Sequence, residues 1–166
     1  MDLTPKPRWW HPIIQKLAAS LFGIWLLATR LDRLDIPILR LTGNRTTLTT
    51  LLSGLPTILL TATGAKSGQP RTVPLVAIPD GENLILVASN FGNARHPAWY
   101  YNLRAHPRAT VASGGQTWRV TARLLEGEER ERCWAKAVGS YPGYQVYKEK
   151  ASERVIPVFL LEPTAA

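Results

Sequence analysis

Residues 63–71 read Thr63-Gly64-Ala65-Lys66-Ser67-Gly68-Gln69-Pro70-Arg71 and lie between two apolar runs, residues 58–62 and 73–78. Two such runs joined by a glycine-bracketed turn predict a hairpin in which the glycines take positive φ and expose successive backbone N–H groups. Lysine, serine, glutamine and arginine side chains add positive charge and hydrogen-bond donors to the same turn. The turn suits an anion such as a cofactor phosphate or carboxylate. An ordinary basic hairpin loop is the alternative.

From residue 56 onward, short apolar runs alternate with turn signals, which is typical of a small β-barrel. Strands are predicted at residues 57–63, 71–79, 84–89, 108–112, 116–126 and 155–161, with a tight turn at Asp80-Gly81. Helices are predicted at residues 97–105, 127–138 and 141–150. The predicted fold class is therefore mainly β (α+β), with about six antiparallel strands and flanking helices.

Length and charge limit the classes of partner. A chain of 166 residues suits one domain with an appendage, and a hydrophobic content of 45% can supply a core. Most of the net charge of +8 comes from residues 1–50, with seven Lys/Arg against three Asp/Glu, and residues 51–110, with five against two, since residues 111–166 carry eight against seven. This excess favours an anionic membrane surface or an acidic cofactor. No nucleic-acid partner is predicted, because there is no dense Lys/Arg run and no recognition motif.

Residues 1–50 are predicted to be an N-terminal amphipathic helical segment, and residues 51–166 the barrel domain. Apolar residues between Trp9 and Ala28 recur at helical spacing, but the uncharged run 17–29 is shorter than the ~20 residues that span a bilayer. Residues 9–30 could lie on an anionic membrane surface, pack on the domain, or serve as a signal peptide, although no good cleavage site follows. The expected location is cytoplasmic, at the inner face of the membrane if the first alternative holds.

The residues offer no catalytic machinery of their own. Cys133 is the only cysteine, and His11, His96 and His106 lack ligand spacing, so neither a disulfide nor a metal site is predicted. Motifs that pair a nucleophile with a base, such as GxSxG or SxxK, are absent from the sequence. If the protein is an enzyme, a cofactor supplies the chemistry and the protein positions it.

The predicted helix at residues 97–105 carries polar and aromatic groups on one face. Trp99 and Asn102 are three positions apart, which places them on the same side of the helix. The free N–H groups that follow Pro97 at the helix start can receive an anion or a polar ring edge. Packing of Trp99 in the core is the alternative.

Three tyrosines recur every third residue in the last predicted helix, at Tyr141, Tyr144 and Tyr147. This spacing lines them along one side of the helix. A core stripe is more often leucine or isoleucine, because a buried phenol needs a hydrogen-bond partner. The stripe is thus either the wall of a substrate pocket or ordinary packing.

Taken in order, these motifs resemble the deazaflavin (coenzyme F420)-dependent nitroreductase family of split β-barrel proteins over residues 55–163. The resemblance rests on Thr-Gly-x-Lys-Ser-Gly-x-x-Arg at 63–71, Pro-x-Trp-Tyr-x-Asn-Leu at 97–103, Tyr-Pro-x-Tyr-x-x-Tyr at 141–147, and the pairs Pro74-Leu75, Ala88-Ser89, His106-Pro107 and Ile156-Pro157. It implies a split β-barrel that transfers a hydride from reduced coenzyme F420 to an electron-poor small molecule. Quinones, activated enones and nitro-heteroaromatics are the acceptors that the family implies.

The resemblance also implies which residues form the site. The turn would hold the phosphate and oligoglutamate tail of the coenzyme through Gly64, Lys66, Ser67, Gln69 and Arg71. The deazaflavin ring would lie against Val73, Pro74, Ala88, Ser89 and Asn90, and the site would be closed by Pro97, Trp99 and Asn102. The second substrate would face Tyr141, Tyr144 and Tyr147, with Ser89 or one tyrosine donating a hydrogen bond to developing negative charge.

Two other functions share the predicted barrel. One is a non-catalytic carrier of flavin, haem or fatty acid, in which the basic turn would hold a phosphate. The other is a conventional oxidoreductase with FMN or FAD as its cofactor. The sequence predicts no particular oligomeric state.

Overall fold

The computed structural model describes residues 54–164, which form a seven-stranded antiparallel sheet and three α-helices. The predicted amphipathic segment, including residues 9–30, lies outside the described residues. Within the described range, no helix is both long enough and apolar enough to cross a bilayer.

The strands follow the predicted order with one addition. They are β1 (Thr57–Thr63), β2 (Pro70–Val76), β3 (Ile78–Asp80), β4 (Asn83–Val87), β5 (Arg108–Ser113), β6 (Gln116–Leu124) and β7 (Val158–Pro163). The helices are α1 (Ala98–Ala105), α2 (Gly127–Ser140) and α3 (Gly143–Lys150), and a 3₁₀ turn covers Asn90–Gly92. The run 71–79, predicted as one strand whose two prolines suggest an edge or a bulge, forms two strands, and both lie at an edge of the sheet.

The sheet curls until its two edges meet. Its strand order is β2-β1-β5-β6-β7-β4-β3, so the edge strands β2 and β3 are consecutive in sequence and separated only by Ala77. The Ala77 N–H donates to the Pro56 carbonyl at 3.0 Å, outside the ladder of either strand. Because one residue cannot span an open sheet, the end of β2 and the start of β3 lie together at one corner, and the predicted split β-barrel is confirmed.

Two apolar layers lie on opposite faces of β4 and β7. Leu84, Leu86 and Phe159 point into the barrel, where they pack with Ile58 and the aromatic residues of α1. The alternate residues Ile85, Val87, Val158 and Leu160 point outward and are covered by the second layer, which includes residues of α2 and the three tyrosines. The 180° alternation of side chains along a strand explains how one strand serves both layers.

Asp80 ties α2 to the end of β3. It accepts hydrogen bonds from Arg132 Nη1 at 3.1 Å, Arg132 Nη2 at 2.9 Å and Lys136 Nζ at 2.8 Å. These hydrogen bonds from Arg132 and Lys136 lower the pKa of Asp80 from 3.8 to about 2. The carboxylate is thus more stable in the folded protein than in the unfolded chain.

We expect Asp80→Asn to lower the free energy of unfolding at pH 7 by about 1 kcal/mol, because it removes the charge from a partly exposed ion pair. The stabilisation by Asp80 is full above pH 3.8 and is lost as the pH falls through about 2, so the two proteins should converge there. Urea unfolding across this pH range measures it, with Glu128→Gln on the exposed side of α2 as control. A difference that does not change with pH would contradict the assignment.

Candidate active site

A cleft of about 1550 Å³ opens between the β1–β2 turn, the loop after β4, helix α1 and the tyrosines of the second layer. Most of the residues predicted from sequence line it, and they come from five separate segments of the chain. They are Gly64, Lys66, Ser67, Arg71, Val73, Pro74, Ser89, Asn90, Pro97, Trp99, Asn102, Tyr141, Tyr144 and Tyr147. The sheet and α1 therefore bring distant sequence motifs to one cavity.

The β1–β2 turn is held by its own backbone and by α1. The Gly64 N–H donates to the Gln69 carbonyl, and the Gly68 N–H donates to the Gly64 carbonyl, both at 2.9 Å. The Ala65 N–H donates to Asn102 Oδ1 at 3.0 Å. This bond anchors the turn to α1. Asn102 also lines the cleft, where its N–H₂ group can donate to a ligand.

The end of the cleft nearest the turn is cationic. Lys66, Arg71 and Arg104 line it and are exposed, and no Asp or Glu lies among the described residues that line the cleft. Arg104 is a residue that sequence reasoning missed. It lies one helical turn after Tyr100 and donates to the Tyr100 hydroxyl at 3.0 Å, a spacing that the sequence already contained. This charge distribution suits an anionic ligand.

The loop after β4 places three successive residues in left-handed backbone: Asn90 (φ 47°), Phe91 (φ 54°) and Gly92 (φ 72°). For a residue with a Cβ atom this conformation costs roughly 1–2 kcal/mol, and phenylalanine gains nothing locally to offset it. Phe91 lines the cleft and meets Tyr147 edge-on, with ring centroids 5.8 Å apart. Such strain is concentrated at functional sites, where the surrounding structure maintains it.

His96 also lines the cleft, a position that its spacing in the sequence does not indicate. Its ring lies 4.3 Å from the ring of Tyr100, measured between centroids, and its Nδ1 is 3.0 Å from Arg154 Nη1. Burial, and then the charge of Arg154, lowers the pKa of His96. No spacing in the sequence could reveal this pair, because its members are 58 residues apart.

The three tyrosines are buried together and still reach the cleft. Tyr141, Tyr144 and Tyr147 are 6%, 5% and 3% exposed, and the hydroxyls of Tyr141 and Tyr147 lie 3.1 Å apart. Burial raises the pKa of all three phenols, so they stay protonated and neutral at physiological pH. In the hydroxyl pair one O–H donates to the other oxygen, which leaves one O–H free to donate elsewhere.

Two residues of the predicted site lie elsewhere. Gln69 does not line the cleft, and its contribution to the turn is made by its backbone. Ala88 is fully buried in the barrel core. Trp99 satisfies both interpretations offered by the sequence, since it is 7% exposed in the core and also lines the cleft.

The chain is similar to known proteins in both sequence and structure. Residues 31–163 match the sequence model of the F420H(2)-dependent quinone reductase family. An F420H(2)-dependent quinone reductase of Mycobacterium tuberculosis is 36% identical over 112 residues, which cover 64% of this chain and 72% of that protein. The solved structure of an F420-H2 dependent reductase (FDR-A) is 46% identical in sequence, and its TM-score is 0.60. The match covers 64% of this chain and 94% of that chain. A second solved structure, named as a domain-swapped dimer, is 41% identical in sequence, with a TM-score of 0.62. The match covers 79% of this chain and 98% of that chain.

Proposed function

Because the chain belongs to the F420H(2)-dependent quinone reductase family, it is an F420-dependent oxidoreductase that reduces quinones, and we propose that its reaction takes place in this cleft. The observation that carries the proposal is the division of the cleft into two chemically different ends. One end is cationic and free of acids among its described residues, and the other is built of neutral phenols and apolar side chains.

The cationic end fits the charged part of coenzyme F420. The phosphate and the carboxylates of its tail need donors and positive charge, which Lys66, Arg71, Arg104 and the Asn102 amide supply. An adjacent carboxylate would oppose such binding, and none lies among the described lining residues. We infer that Ser67 and the exposed backbone of the turn add further donors.

The apolar end fits the deazaflavin ring and a quinone. Val73 and Pro74 from β2, Trp99 from α1, Phe91 and the three tyrosines supply apolar and aromatic lining to the cleft. When bound, the reduced coenzyme supplies the hydride from its C5 position. The residues of the chain orient the two rings and exclude water, which provides much of the rate.

Hydride transfer places negative charge on a quinone oxygen, and the protein must stabilise it. The free O–H of the Tyr141–Tyr147 pair is a neutral donor buried away from water, where a hydrogen bond is electrostatically strong. Ser89 is 9% exposed and lines the same cavity. We propose these hydroxyls as the groups that stabilise the developing charge, with Tyr144 holding the rings of its two neighbours in place.

Two measurements test the proposal. The first is fluorescence titration with oxidised coenzyme F420, with FMN and FAD as parallel ligands. The second is the oxidation of F420H2 by a soluble quinone such as menadione. We expect the deazaflavin to bind more tightly than either flavin and menadione to be reduced. Preference for FMN or FAD would favour the conventional flavin enzyme. Binding of the deazaflavin without reduction of any quinone, enone or nitro-heteroaromatic would favour a carrier.

We further propose that residues 9–30 hold the protein peripherally at an anionic membrane surface on the cytoplasmic side, which would bring the cleft close to apolar quinones. The support is the amphipathic pattern and the basic excess of residues 1–50. Deletion of residues 1–30 should abolish sedimentation with anionic vesicles and spare the reduction of menadione. Vesicle binding by the shortened protein would remove the basis of this proposal.

A further inference from the structure

A single side chain contacts both ends of the left-handed loop after β4. Arg154, which lies between α3 and β7, donates from Nε to the Asn93 carbonyl at 2.9 Å and from Nη2 to the Ser89 carbonyl at 2.7 Å. Its Nη1 donates to the Ala88 carbonyl at 3.4 Å and to His96 Nδ1 at 3.0 Å. One guanidinium therefore binds four acceptors that span the whole loop, residues 88–96.

The contact with His96 fixes the protonation of that ring. Arginine has N–H donors and no acceptor, so Nδ1 of His96 must be the acceptor and carry no proton. The ring is then neutral, and its single proton is on Nε2. The ring also stacks on Tyr100, which restricts its rotation, and it lines the cleft. His96 is thus a lining residue of the cleft whose tautomer, with its one proton on Nε2, is fixed by Arg154.

Other contacts also maintain the loop. The Gly92 N–H donates to the Ser89 carbonyl and the Asn93 N–H to the Asn90 carbonyl, both at 3.0 Å. The Asn90 Nδ2 group donates to the Arg95 carbonyl at 2.8 Å, and Gly92 packs so closely on α3 that an added Cβ would lie 2.8 Å from the Tyr147 carbonyl oxygen. Arg154 adds direct bonds to both Ser89 and His96, which lie just outside the Asn90–Arg95 bond and line the cleft.

We propose that Arg154 is a positioning residue for the reaction: it holds Ser89 and His96 at the cleft and sets the Nε2–H tautomer of His96, so that both side chains present donors to the bound substrate. This proposal rests on the proposed function of the cleft. It assigns roles to two residues, Arg154 and His96, that belong to or contact the loop after β4 and are separate from the basic β1–β2 turn. Lysine cannot replace the arginine, because an ammonium group cannot reach four acceptors spread along a planar fork.

The test uses the full chain with Arg154→Lys and Arg154→Ala. We expect Arg154→Lys to lower kcat/KM for menadione by roughly 10-fold or more, mainly through kcat, because charge-assisted bonds to the loop are lost. Added guanidinium chloride, below denaturing concentration, should restore part of the activity of Arg154→Ala. The matched control is Arg130→Lys, since Arg130 also donates to a backbone carbonyl, that of Ile156 at 2.9 Å, but does not line the cleft.

A readout independent of activity is nitrogen-15 NMR of the imidazole side chains, with His96→Gln to assign the signals. In the parent protein Nδ1 of His96 should be unprotonated and Nε2 protonated, and Arg154→Ala should mix the two tautomers. The proposal would be overturned by an unchanged tautomer in Arg154→Ala, or by losses in Arg154→Lys and Arg130→Lys that follow thermal stability alone. If the parent protein reduces no quinone, the proposed function fails, while the NMR result still decides the role of Arg154.

Discussion

Replacing Lys66 and Arg71 together by alanine should weaken the binding of coenzyme F420 by roughly 100-fold. Both side chains are exposed at the cationic end of the cleft, and each hydrogen bond from a charged donor to a phosphate or carboxylate contributes about 1.5 kcal/mol. Two such contacts correspond to about 3 kcal/mol, or about two factors of ten in the dissociation constant. Fluorescence titration of the oxidised coenzyme measures the change.

The dependence of coenzyme affinity on salt concentration distinguishes direct contacts with Lys66 and Arg71 from attraction by the overall positive charge of the protein. The double variant should show a weaker dependence of coenzyme affinity on ionic strength, because two of the three screened cationic side chains at this end have been removed and only Arg104 remains. The matched control is Arg108→Ala with Arg119→Ala, which removes the same formal charge from exposed positions on β5 and β6 that do not line the cleft. An equal loss in both double variants would mean that net charge, and not the turn, attracts the coenzyme.

Gly143→Ala should lower the free energy of unfolding by about 2–3 kcal/mol and also impair turnover. A Cβ at this position would lie 2.2 Å from Cζ of Tyr141 and 2.4 Å from its hydroxyl oxygen, so the ring must move. The tyrosine is 6% exposed and packed in the second apolar layer, where displacement is costly. The movement also breaks the 3.1 Å bond to the Tyr147 hydroxyl. Thermal unfolding measures the stability, with an expected fall of roughly 5–10 °C.

The chain provides a matched control for this substitution. Gly139 lies near the end of α2, and a Cβ there would meet nothing within 4 Å. Gly139→Ala should therefore stabilise the helix slightly, by up to about 1 kcal/mol. In a background that already carries Tyr141→Ala, the effect of Gly143→Ala should largely disappear, because the clashing ring is gone. Equal effects of Gly143→Ala in the two backgrounds would exclude the ring as the cause.

The barrel was predictable from local signals, because hairpins are local. β1 lies where the apolar run predicted it, and Asp80-Gly81 forms the predicted turn between β3 and β4. The division of the run 71–79 was not predicted, since it depends on Ala77 bonding to Pro56 as the sheet closes. Prolines 74 and 79 marked an irregular strand but could not locate its bend.

The boundaries of the predicted helices also depend on packing between distant segments, which the local sequence does not show. The helix predicted over residues 141–150 begins at Gly143, so Tyr141 precedes it and reaches its partners from the connecting segment. The tyrosine cluster forms nonetheless, because the chain turns tightly at Pro142-Gly143. Periodicity identified the right residues, while the exact boundary depended on packing between α2 and α3.

Residues that act through distant partners were beyond sequence reasoning. The basic turn and the aromatic motifs are contiguous, so their composition could be read directly from the sequence. Arg154 bonds to residues 58–66 positions earlier, and nothing near it in sequence marks the contact. The assignments of Gln69 and Ala88 came from motif position alone, which does not tell whether a side chain faces the cleft or the core.

The strand order also has a consequence for biosynthesis. β7, close to the end of the described chain, lies between β6 and β4, and it is buried on both faces. During translation, β7 emerges from the ribosome long after β4. Until β7 is available, β4 exposes an unpaired edge and apolar side chains. Arg154 emerges only shortly before it. The nascent protein therefore completes its sheet and its cavity at the same late stage of synthesis.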